Sequence, residues 1–222
     1  MKAPIERAFY MRDAVSVARD LLGKKLVRLN GLEEISGVIV ETEAYAGTDD
    51  AACHSYKRSG PAQAHRTNVM FGPGGYAYVY LIYGMYDCFN VVANSPGEPE
   101  AVLIRSLEPR EGVSFMMERR KTQDIKKLCS GPGKLCMALG ITRAHYGADL
   151  CATDSTIFIT DEDPVSESQI VATPRINVDY AGEAALLPYR YVLRDSEFLS
   201  TKKYLRSGTA KGRSVKCPSQ KL

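Results

Sequence analysis

The run Tyr76 to Val92, YAYVYLIYGMYDCFNVV, constrains the chain more than any other stretch. Tyr76, Tyr78 and Tyr80 alternate with Ala77 and Val79, and a period of two puts the three rings on one face of a strand. Tyr83-Gly84 interrupts the run, and a second β-prone segment follows from Tyr86. Glycine reaches the positive φ that a tight turn needs, so the stretch predicts a β-hairpin with Tyr83 at its tip. Burial is hardest at a tip. A ring there either folds back on its neighbours or serves a partner that accepts an aromatic, such as a stack of DNA bases opened by an inserted side chain.

Other elements follow from local chemistry. Arg12 to Leu22 reads as a helix, with Asp13 as N-cap, a stripe of Val15, Ala18, Leu21 and Leu22, and Gly23 as the stop. Lys25 to Leu29 and Gly37 to Tyr45 read as paired strands whose connection, extended by Glu33-Glu34, is longer than a two-residue turn. Strict alternation in the second strand puts Ile39, Glu41, Glu43 and Tyr45 on one face and Val38, Val40, Thr42 and Ala44 on the other. The first face is either an exposed polar edge or a carboxylate set beside an aromatic surface, an arrangement suited to activating water near a planar substrate. Ala101 to Leu107 is an apolar strand that carries Arg105. If buried, that Arg needs a carboxylate partner, and Glu41 and Glu43 are candidates; otherwise it reaches solvent.

Gly47 to Pro73 reads as a long turn-rich loop of the kind that lines sites, and His54 lies in it. Pro109 suits a first helical turn, Val113 to Lys121 a helix, and Arg119 to Lys127 a basic run that is either a solvated face or a phosphate contact. Ser130-Gly131-Pro132-Gly133-Lys134 precedes a helix to Leu139, a helix start that can meet a phosphate through backbone N–H groups and Lys134. Asp149 to Glu167 reads as acidic surface structure, and Arg175 to Val178 and Arg190 to Leu193 as two further strands.

Length and charge set the remaining bounds. The 222 residues carry a net charge of +3 and 6 Cys that form no CxxC pair, which fits reduced thiols rather than a disulfide frame. Neither a signal peptide nor an apolar run of spanning length is present, so a cytoplasmic or bacterial nucleoid-associated protein is expected. Cys53-His54 and His65 lack zinc-finger spacing, and no metal is expected. With no repeat and no linker, residues 1–200 read as one domain. Residues 201–222 hold no acidic residue and read as a flexible basic tail drawn to phosphates.

Taken together, ETEAY at Glu41 to Tyr45, AACHS at Ala51 to Ser55, YVYLIYGMYDCFN at Tyr78 to Asn90, LIRSLEP at Leu103 to Pro109, CSGPGKLCMALGI at Cys129 to Ile141 and RINVDYAGE at Arg175 to Glu183 resemble the alkyladenine (3-methyladenine) DNA glycosylase family in order and spacing. The resemblance runs from the first helix to about Leu199. It implies an α+β fold, a single compact domain around a curved, mainly antiparallel sheet with peripheral helices and a protruding hairpin. It implies a monofunctional enzyme of base-excision repair. Such an enzyme flips alkylated or deaminated purines from duplex DNA and hydrolyses the N-glycosidic bond, leaving an abasic site. No metal and no cofactor are implied, and a monomer is expected.

By the same resemblance, Glu43 is the general base for the attacking water. Arg105 helps hold that water, with the backbone carbonyl of Ile176 as a third contact. Tyr45, His54 and Tyr80 line the base pocket, Asn90 clashes with the amino group of normal guanine, and Tyr83 is the minor-groove wedge. Lys134 is the candidate DNA-backbone contact. These residue types suit the chemistry. Stacking returns roughly 1–3 kcal/mol per base, which offsets extrusion. Electron-rich rings favour a cationic alkylated purine, and a carboxylate stabilises oxocarbenium character and accepts a proton from water. Glu41 remains the rival for the base role or a structural partner of Arg105.

Overall fold

The computed structural model describes residues 2–62 and 66–205. His65 and the tail from residue 206 onward lie outside them. The first elements are α1 (Arg7–Tyr10) and α2 (Ala14–Asp20). Asp13 caps α2 by accepting from the Ser16 N–H at 2.8 Å, which satisfies a donor that has no intrahelical partner. Ala14, Val17 and Ala18 face the core, and Gly23, at φ +84°, turns the chain out of the helical segment.

An eight-stranded sheet organises the domain, and all its ladders are antiparallel. Strands β1 (Lys25–Asn30) and β2 (Glu33–Tyr45) form the first hairpin. Its connection is the two-residue turn Gly31-Leu32, with Asn30 paired to Glu33, not the longer loop that the acidic pair suggested. Glu34 takes a strand position opposite Leu29, and its carboxylate accepts from Lys25 Nζ at 2.9 Å, so its charge is matched within the hairpin. Strands β3 (Ala77–Ile82) and β4 (Tyr86–Ala93) form the hairpin expected from the tyrosine run, and β5 (Glu100–Pro109) pairs with both β4 and β2.

Pro109 ends β5 instead of opening a helix. The helix begins after Gly112, whose φ of +67° and tight approach to Glu34 and Ile35 leave no room for a Cβ. Three helices follow: α3 (Val113–Arg120), α4 (Ile125–Leu128) and α5 (Pro132–Leu139). Arg119 and Arg120 donate to the carbonyls of Ala138 and Leu128. Two members of the basic run therefore tie these helices together.

The acidic stretch holds a buried strand, β6 (Ile157–Thr160), because Ile157, Phe158 and Ile159 complete the sheet beside β1. The last strands are β7 (Ile170–Thr173) and β8 (Arg190–Leu193). Arg175 to Val178 is not a strand; it follows β7 as an irregular segment with Asn177 at φ +60°. Six strands run in the order β3-β4-β5-β2-β1-β6, while β8 lies along the second half of β2 and carries β7. One sheet face packs the main core of Ile39, Phe89, Val91 and Ile104 beneath α2 and α5. The opposite face, at the β3-β4-β5 end, holds an aromatic cluster of Tyr45, Tyr76, Tyr78 and Tyr80.

Candidate active site

A cavity of about 590 Å³ opens on the aromatic face. Direct register across the sheet explains how distant segments meet there. Tyr78 pairs with Asn90, Asn90 with Leu103, Leu103 with Glu43, and Glu43 with Arg190. Residues paired in register point to the same side of a sheet, so these five form one row across five strands. Tyr78, Asn90 and Leu103 from this row lie on the cavity wall.

Strict alternation fails in β2. The β2–β5 register skips Val40 on one strand and Arg105 on the other, two irregularities within a few residues. Ile39 therefore stays in the main core, Val40 joins Val192 and Leu199 on the other face, and the Thr42 hydroxyl points back to the Ala18 carbonyl at 2.7 Å. The sequence grouped Ile39 with Glu41, Glu43 and Tyr45. The bulge separates them and frees Arg105 to reach both carboxylates.

Arg105 is buried, and its Nε donates to Glu41 Oε1 at 3.0 Å while Nη1 donates to Glu43 Oε2 at 3.1 Å. Both candidate partners are thus real, but their surroundings differ. Glu41 also accepts from Arg190 Nε at 2.8 Å, from the Ser200 hydroxyl at 2.8 Å and from the Ser200 N–H at 2.7 Å. Its oxygens are occupied on the side away from the cavity. Burial works against the charge of Glu41, yet Arg105 and Arg190 outweigh it and hold the carboxyl below its usual range. Burial likewise opposes the Arg105 charge, and Glu43 and Glu41 reverse that effect.

Glu43 accepts from the Tyr45 hydroxyl at 2.9 Å and from the Ile176 N–H at 2.7 Å, besides Arg105. Its side chain has 0% exposure, so in the free protein it sits just behind the wall. Its three partners, Tyr45, Arg105 and Ile176, all line the cavity. The resemblance assigned the Ile176 carbonyl to the water; the group of Ile176 that meets Glu43 is its amide. Burial, followed by the Glu43 charge, pushes the Tyr45 phenol well above its ordinary pKa, so it stays protonated and donates.

The remaining pocket residues line other parts of the cavity wall. His54 Nδ1 lies 2.9 Å from the Tyr78 hydroxyl, and its ring stands edge-on to Tyr80 with centroids 4.6 Å apart. Asn90 Nδ2 donates to the Tyr78 carbonyl at 3.0 Å, which fixes its amide beside the cavity. Cys88 lines the same wall, and burial pushes its thiol up to about 11, so it stays neutral. At the mouth, Tyr83 is 74% exposed, with φ +53° followed by Gly84 at φ +69°. These signs fit a hairpin turn of the primed kind, which throws the phenol outward. Gly133 at the start of α5 also lines the mouth, and a Cβ there would lie 2.9 Å from Tyr86 Cβ. Lys134 is exposed, 3.5 Å from the Ser130 hydroxyl, and stands beside the mouth and not on the wall.

Several participants escaped the sequence reading. Arg190 and Ser200 hold Glu41, and Asp50 binds Arg175 at 2.5 and 2.8 Å behind Tyr45. An Arg between Tyr189 and Tyr191, at the head of β8, was the available signal for Arg190, akin to the one that marked Arg105. Nothing local links Asp50 to Arg175 across 125 residues. Among the described residues, no group of three or more His, Cys, Asp or Glu is placed to hold a metal ion. No helix there is long and apolar enough to cross a membrane.

The chain is similar to known proteins over most of its length. A family model described as methylpurine-DNA glycosylase matches residues 8–197. A protein of Alkaliphilus oremlandii is 46% identical over 206 residues, covering 89% of this chain and 99% of its own. One of Methanocella arvoryzae is 50% identical over 197 residues, covering 88% and 95%. One of Bacillus cytotoxicus is 49% identical over 209 residues, covering 90% and 100%. Each carries the provisional name 3-methyladenine DNA glycosylase.

Proposed function

The chain belongs to the methylpurine-DNA glycosylase family, a family of N-glycosidic hydrolases, and from that premise we propose that it removes alkylated and deaminated purines from duplex DNA by base flipping. The observation that carries this reading is the buried Glu43 carboxylate bonded to three groups that all face the aromatic cavity.

Tyr83 enters the minor groove and fills the space left by the extruded nucleotide. The base enters between Tyr45 on one side and Tyr80 with His54 on the other, and stacking offsets the loss of pairing. Asn90, fixed by the Tyr78 carbonyl, stands where the amino group of normal guanine would go. Water attacks the sugar carbon as the base departs with the bonding electrons, and Glu43 accepts the water's proton while stabilising oxocarbenium character. Glu43 must first exchange one of its contacts for water. The Tyr45 hydroxyl is the contact to yield, because Ile176 donates from the backbone and Arg105 is also tied to Glu41 and Ser200. Arg105 stays in place to keep the carboxylate ionised and to orient the water. Lys134 and the basic residues beyond position 201 bind DNA phosphates.

Incubation with methylated duplex DNA, and in parallel with the corresponding free nucleosides, tests the reading. Release of methylated purines from the duplex alone supports it. Release from the nucleosides alone would make the protein a hydrolase of small molecules instead.

A further inference from the structure

Behind Tyr45, on the side away from the cavity, lies a buried cation. Arg175 Cζ is 4.9 Å from the centroid of the Tyr45 ring and 5.3 Å from that of Tyr189, so the guanidinium is packed between two rings. Arg175 is 2% exposed and does not line the cavity. Asp50 grips it at 2.5 and 2.8 Å, and the carbonyls of Ala44 and Ala184 accept from it at 2.9 and 3.0 Å. Held by Asp50, two carbonyls and two rings, it cannot swing clear when the cavity fills.

A ring attracts a cation through the electron density over its faces. The inner face of Tyr45 already serves Arg175, so the outer face attracts a second cation less. A base stacked about 3.5–4 Å outside the ring would also lie in line with a like charge, inside an interior that salt screens poorly. Asp50 cancels the net charge of the pair, but the guanidinium is the end packed on the ring. A neutral base meets neither penalty.

On the reading of this cavity as the base pocket, we infer that Arg175 is a specificity-determining residue: acting through Tyr45, it weakens the hold on positively charged purines and so keeps neutral deaminated purines competitive as substrates. It touches no reacting atom, and its effect is on relative preference.

The test compares kcat/KM on two duplexes, one with cationic 7-methylguanine and one with neutral hypoxanthine. In Asp50→Asn/Arg175→Met both buried charges are gone, and the 7-methylguanine-to-hypoxanthine ratio rises roughly threefold to tenfold over wild type. Arg175→Lys keeps the charge but not the two-pronged grip on Asp50, and its ratio stays closer to wild type than that of the double variant. A double variant that loses activity equally on both duplexes, leaving the ratio unchanged, overturns the inference. If that variant does not fold, Asp50→Asn with Arg175 intact decides: the guanidinium loses its counter-charge, and a 7-methylguanine-to-hypoxanthine ratio below wild type supports the role; a ratio unchanged or higher overturns it. Wild-type release from neither duplex would instead remove the base-pocket reading itself.

Discussion

Replacing Glu41 by Gln separates structure from chemistry at this site. Glu41 accepts from Arg105, Arg190 and both donors of Ser200, within 2.7–3.0 Å. Gln keeps the shape but removes the charge, so the buried cluster of two guanidiniums and two carboxylates becomes net positive. Its amide nitrogen must also face a donor, since every neighbour of the two oxygens donates. Breaking a buried ion pair by removing one partner costs about 3–5 kcal/mol, which for a domain of this size lowers Tm by roughly 6–20 °C. The total stability of such a domain is about 5–15 kcal/mol, so Glu41→Gln still folds in the cold. Calorimetry gives the Tm shift, and single-turnover base release well below the new Tm gives the chemistry. The expectation is a large loss of stability with release within about tenfold of wild type. A native Tm with abolished release would make Glu41 the general base and refute the reasoning.

The remaining expectations test other parts of the same architecture. Tyr83→Ser should weaken lesion binding by about tenfold or more, from the lost aromatic stacking, while a 74% exposed site moves unfolding free energy by no more than about 0.5 kcal/mol; a gel-shift titration and a melt read both, and unchanged binding counts against the wedge. Burial opposes the charges of Glu41 and Asp50, but Arg105 with Arg190, and Arg175, hold both carboxyls below their usual range. Their contribution is therefore present above the unfolded values near ~4 and is lost as pH falls through the lower folded values. Urea midpoints should drop below about pH 4, and less steeply in Asp50→Asn; equal slopes would contradict the pairing. Gly133→Ala places a Cβ 2.9 Å from Tyr86 Cβ and pushes on the base of the hairpin, for a loss of about 1–3 kcal/mol. Its base release should fall more than that of an alanine substitution at the exposed Lys134.

The hairpin was legible because alternation, a tight-turn glycine and a ring at the tip agree on one structure. Arg105 was legible because a charge in an apolar strand demands a partner. Two features hid the rest. The β2–β5 irregularity at Val40 and Arg105 is a property of the pairing, not of either strand alone, so strict alternation misplaced Ile39. The Asp50–Arg175 pair depends on a contact between a loop and a segment that lacks regular structure, and no local period announces it. Arg175 was read as part of a strand, because Ile176 and Val178 are β-prone. The Pro109 error came from weighing helix-start chemistry without the strand ladder that runs through to it. The roles of Glu43, Tyr45 and Asn90 came from family resemblance, and the row from Tyr78 to Arg190 supplies a physical reason for Glu43 and Asn90 lying on one side of the sheet.

The most direct measurement is base release by Glu43→Gln on methylated duplex DNA, in EDTA, with lesion affinity measured on the same preparation. The account predicts affinity within a few-fold of wild type and release slower by about 10²-fold or more. Release at the wild-type rate, with affinity intact, would contradict it.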